Sequence, residues 1–103
     1  VTDWVPFFDA VDEVRRSGSF EALKRLYSRS RRTRERALLN STACALAAEL
    51  GDAPPWWAMR PLLLPDPWFV AGIENLKASA LLESPIQFRR NNIFVLGNFL
   101  SRV

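Results

Sequence analysis

"ALLNSTACALAAEL", residues 37–50, is the stretch on which the fold turns. Leu38, Leu39, Ala43, Leu46, Ala47 and Leu50 recur at helical spacing, and Gly51 follows as a stop signal. Alanine and leucine are strong helix formers, so the segment reads as a core helix. Asn40, Ser41, Thr42 and Glu49 make it too polar, and its length makes it too short, to cross a bilayer. Cys44 lies among small residues and reads as an inert core thiol, with no cation or histidine beside it in the sequence to activate it.

Upstream, "SRSRRTRER" (28–36) contains no large apolar residue, so a break or bend is expected near Ser30 before the central helix starts near Thr33. Before it, Phe20, Leu23, Leu26 and Tyr27 form the inward stripe of a second helix, with Ser19 as its expected N-cap and Glu21 in its first turn. A first helix is predicted from about Pro6 to Arg16. Pro6 suits the first helical position, Phe7, Val11 and Val14 share a face, and Gly18 marks the stop.

Downstream, "DAPPWWAMRPLLLPDPWF" (52–69) holds five of the seven prolines and three of the four tryptophans. Pro54 and Pro55 suit a short helical turn through Met59, while Pro61 and Pro65 forbid a long one. Asp66-Pro67 reads as the start of a helix to about Glu83, with Phe69, Ile73, Leu76 and Ala80 on its buried stripe. Ser84-Pro85 repeats that start signal. From there Ile86, Arg90, Ile93, Leu96, Leu100 and Val103 fit a final helical stripe; "NIFVLG" alone would suit a strand, but no second strand offers itself as a partner. The expected fold is therefore an all-α domain over residues 1–103, a small bundle of four to six helices in two layers, with a Pro/Trp-rich connector at about 52–66.

Composition narrows the function. With 49% hydrophobic residues, 24% charged and four glycines in 103, the chain has the balance of one helical domain. One cysteine gives no disulfide framework and no thiol cluster, so a reducing cytoplasmic setting is expected, and no signal-like apolar segment opens the sequence. Histidine is absent, which removes the commonest general base and the commonest nitrogen ligand for metals. Glu74 and Glu83 are not spaced as a neighbouring helical pair, and Asn91-Asn92 reads as a turn. Neither catalytic residues nor a metal or cofactor are expected; the chain reads as a binding protein and not an enzyme.

Charge is the sharpest signal. Residues 15–36 carry nine basic against two acidic side chains, a local net of +7; residues 1–14 carry −4 and residues 37–103 balance at zero. On an unbroken helix Arg25, Arg29, Arg32 and Arg36 would lie on one face about 16 Å long, a row suited to anions. The second feature is Trp56, Trp57 and Arg60, residue types enriched in interface cores, which otherwise plug a gap between helices. The expected function is a protein-interaction or assembly module, with a protein partner or a homo-oligomer. The alternative is nucleic-acid binding or regulation through the Arg25 to Arg36 face. No membrane association is expected, because the basic segment lacks exposed aromatic residues of its own.

Overall fold

In the computed structural model, residues 4–72 and 74–100 are described. Helix α1 (Val5–Ser17) carries Pro6 in its first turn and ends at Gly18, whose left-handed φ of 75° lets its N–H close on the Val14 carbonyl. Helix α2 (Glu21–Arg29) follows. Its N-cap is Phe20 and not Ser19, whose Oγ instead accepts from the Glu21 N–H at 3.3 Å. The expected break is present: Ser30 and Arg32 take extended conformations, and helix α3 (Thr33–Leu50) begins beyond them.

Helix α3 is the centre of a small all-α bundle. Helices α1 and α2 pack on it, as do the connector turn and helix α5 (Ile86–Arg89). Buried on so many faces, it hides residues 37–44, including Asn40, Ser41 and Thr42, where an amphipathic surface helix would show a polar side. The core joins Phe7, Val11 and Val14 of α1, Leu23 of α2, Leu38 and Leu46 of α3, Trp57 and Leu64 of the connector, and Phe88, Ile93 and Val95. Removing the fully buried Leu23 side chain to alanine would cost about 2–5 kcal/mol.

Two expectations fail after the connector. No helix starts at Asp66-Pro67: helix α4 is only Lys77–Glu83, preceded by a 3₁₀ turn at Glu74–Leu76. The N–H groups of Trp68 and Val70 are spent on the carbonyls of Asn92 (2.9 Å) and Phe94 (3.2 Å), and Gly72, at φ 68°, turns the chain back on Phe69. Pro65 and Pro67 already bias this stretch toward extended backbone.

The final stretch is likewise not one helix. It holds α5 and then a short strand, β2 (Ile93–Phe94), which pairs in parallel with β1 (Trp68–Phe69) in the register Trp68 to Ile93 and Phe69 to Phe94. The partner that the sequence reading lacked was hidden inside the expected helix. Asn92 makes the turn at φ 65°, and the Phe69 and Phe94 rings stack at 5.1 Å. Ser84-Pro85 does precede α5, but Ser84 is the C-cap of α4. Ile73 and Val103, assigned to buried stripes from the sequence, lie outside the described residues.

Candidate interaction site

The bend between α2 and α3 breaks the arginine row. Arg25 and Arg29 remain four apart on α2, Arg32 stands at the N-cap of α3, and Arg36 turns inward. The guanidinium of Arg36 lies 4.0 Å from the centre of the Tyr27 ring and donates from Nη1 to the carbonyls of Tyr27 (3.1 Å) and Ser30 (3.2 Å). These carbonyls sit at the C-terminal end of α2, where helix geometry leaves acceptors without partners. Arg36 is therefore a structural staple of the bend, and no continuous four-arginine helical face forms. Arg25, Arg29, Arg31 and Arg32 make no ion pair among the described residues. Arg15, at the start of the basic segment, is committed elsewhere. It grips Glu49 through two bonds of 2.9 and 3.0 Å and donates to the Leu100 carbonyl. Its hydrogen bond, ahead of its charge, holds the Glu49 carboxyl below its ordinary range.

The connector supplies the other half of the site. Pro55, extended, leads into a 3₁₀ turn at Trp56–Ala58. The two tryptophans diverge: Trp57 is 8% exposed and lies 4.7 Å from the Tyr27 ring, whereas Trp56 is 74% exposed. Met59, the C-cap of the turn, is 64% exposed. Trp68 is half-buried, with the Arg34 guanidinium 5.4 Å from its ring centre.

Folding brings these two features together. A cleft of about 680 Å³ opens between α2 and the connector, lined by Lys24, Tyr27, Ser28, Arg36, Trp56, Trp57 and Arg60. Lys24 Nζ stands 5.9 Å from the Trp56 ring centre. A smaller hollow of about 130 Å³ shares Lys24, Trp56 and Trp57 with this cleft and is otherwise lined by Ser19, Phe20, Glu21 and Pro55. Of the residues singled out from sequence, Trp56, Trp57, Arg60 and Arg36 meet in the cleft; Arg25, Arg29 and Arg32 do not line it. Lys24 and Ser28 are not marked out by the sequence, and Tyr27 reads there as part of the inward stripe of α2; their spacing of three and four along α2 is the signal that joins them.

Buried side chains of α3 hold the connector from inside. Asn40 Nδ2 donates to the Arg60 carbonyl at 2.9 Å, and the Cys44 thiol donates to the Ala58 carbonyl at 3.1 Å. Asn91 Oδ1 accepts from the Leu62 N–H at 2.9 Å, while its Nδ2 donates to Asn40 Oδ1 (3.0 Å) and Ser41 Oγ (2.7 Å). The Asn91 carbonyl also accepts from the Leu64 N–H at 3.0 Å. Contrary to the sequence reading, Cys44 does have a cation beside it: Arg90 Nη2 donates to Sγ at 2.9 Å. Burial nevertheless raises the thiol pKa, with Arg90 opposing the shift. The thiol thus clips the connector to α3.

Among the described residues, no group of three or more His, Cys, Asp or Glu side chains is placed to hold a metal ion, and no helix is long and apolar enough to cross a membrane. No protein-family model, curated protein or solved structure matches the chain.

Proposed function

We propose that this domain is a non-catalytic protein-interaction or assembly module, acting in a reducing cytoplasmic setting, whose docking face is the open cleft between α2 and the Pro/Trp-rich connector. The observation that carries the reading is the divided tryptophan pair. Trp57 is built into the core, while Trp56 is held out on the same short, proline-braced turn beside Lys24 and Arg60. Interface hot spots are enriched in tryptophan, tyrosine and arginine. A rigid turn also reduces the ordering cost of binding. The histidine-free sequence favours binding over acid–base chemistry.

A second reading, nucleic-acid binding, is favoured by one observation: Arg25, Arg29, Arg31 and Arg32 are without carboxylate partners among the described residues. Guanidinium groups so placed suit phosphate oxygens, although they would carry little sequence information. Affinity capture from nuclease-treated extract separates the two. A protein partner retained through nuclease treatment, and lost when Trp56 is changed to alanine, supports the interaction module. Retention that disappears with nuclease, and depends on Arg25 and Arg29 and not on Trp56, supports the alternative. Sedimentation of the isolated domain over a concentration series tests whether the partner is a second copy.

A further inference from the structure

We infer that the occupant of this face is an acidic polypeptide segment carrying one bulky apolar anchor, which seats against Trp56 while its carboxylates meet Lys24 and Arg60. The inference rests on reading the cleft as a docking face, and it names the partner's chemistry. Trp56 lines two adjoining hollows, together with Trp57 and Lys24. In the smaller one Phe20, Pro55, Trp56 and Trp57 give apolar walls around an open space of about 130 Å³, which is of side-chain size. The larger cleft adds Arg60 to the shared Lys24, and both cations are free of carboxylates among the described residues.

Charge complementarity decides the partner's sign. The +7 segment includes all of α2, and the unpaired arginines beyond the cleft continue the positive field for an incoming chain. Glu21 is the one carboxylate lining either hollow and it lines only the smaller, so the larger cleft, with Lys24 and Arg60, is the part suited to the partner's carboxylates and the smaller hollow is left to the anchor. A single-stranded nucleic acid would also supply negative charge and a flat ring. The smaller hollow's walls of Phe20, Pro55, Trp56 and Trp57, however, favour an aliphatic or aromatic side chain over a base with its polar edges.

The test uses fluorescence anisotropy with three labelled probes at low salt: a short Asp/Glu peptide with one central Phe, the same peptide with Ser in place of Phe, and a single-stranded oligothymidylate. The Phe peptide is expected to bind about tenfold tighter than the Ser peptide. Trp56→Ala should erase that ratio. Lys24→Ala combined with Arg60→Ala should weaken both peptides and leave the ratio in place, and added salt should do the same. All three side chains are exposed or half-buried, so the variants should retain the unfolding temperature, which is checked in parallel. Equal affinity for the two peptides, no binding of either, or tighter binding of the oligothymidylate than of the Phe peptide would overturn the inference. A nuclease-resistant, Trp56-dependent partner found alongside failed peptide binding would sink only the acidic-anchor claim; loss of both results would remove the docking face itself.

Discussion

Asn91→Ala is the perturbation that most severely tests how the connector is held. The wild-type side chain makes three good bonds, to Asn40 Oδ1, Ser41 Oγ and the Leu62 N–H, and a weak fourth to the Ala37 carbonyl at 3.4 Å. Asn91 is fully buried. Each of the three bonds contributes about 1 kcal/mol net, and groups left buried without a partner add about 1–3 kcal/mol. Ser41 can rotate its hydroxyl and a water can enter the space, so the expected total is about 3–5 kcal/mol. Against a total stability of about 5–15 kcal/mol this is a large fraction. Thermal unfolding followed by circular dichroism should show a fall in Tm of about 12–40 °C. Ser41→Ala, which removes one of the bonds, should cost about 1 kcal/mol. Hydrogen exchange at the Leu62 amide should accelerate in Asn91→Ala more than exchange within α1. A fall in Tm of under about 5 °C would refute the claim that this buried amide pair clamps the connector.

Three further outcomes follow from particular contacts. Arg36→Leu should destabilise by about 1.5–3 kcal/mol in chemical denaturation, because it removes charged bonds to two helix-end carbonyls; Arg36→Lys should recover only part of this, since an ammonium cannot reproduce the planar contact on Tyr27. Cys44 should react slowly with a thiol reagent in the folded protein and rapidly in denaturant, and Arg90→Ala should lower its folded-state reactivity further, because Arg90 opposes the upward shift of the thiol. The Arg15–Glu49 pair stabilises above the ordinary carboxylate pKa, and that contribution is lost as pH falls through the lowered Glu49 value. Both groups are partly exposed, so Glu49→Gln should cost under about 1 kcal/mol at neutral pH and nothing in strong acid, as read by urea midpoints across pH.

The first fifty residues were legible because their signals are local. Gly18 and Gly51 end helices where the sequence places them, and the apolar gap from Ser28 to Arg36 coincides with the bend. The second half was misread where nonlocal pairing overrode local signals. Asp66-Pro67 has the form of a helix start, yet Trp68 and Val70 find acceptors more than twenty residues away, and no propensity within the segment announces them. Phe69 fits a helical stripe in the sequence but stacks on Phe94 across a two-residue ladder. The site was half visible. Trp56, Trp57 and Arg60 stood out by composition, whereas Lys24 looked like one charge among nine, and Arg36 looked like a surface cation when it is a staple. Asn40-Ser41 offered the strongest unused signal: polar residues in the middle of an apolar helix need buried partners, and Asn91 is that partner.

The central claim is that one turn divides its two tryptophans between fold and function. The measurement that tests it most directly is a paired comparison of Trp56→Ala and Trp57→Ala, scoring thermal stability and retention of the nuclease-resistant partner in the same preparations. Trp57→Ala should lose about 3–5 kcal/mol, with binding failing only as the protein unfolds, whereas Trp56→Ala should keep its stability within about 0.5 kcal/mol and lose the partner. Full partner retention by a folded Trp56→Ala protein, or a loss of stability equal to that of Trp57→Ala, would contradict the account.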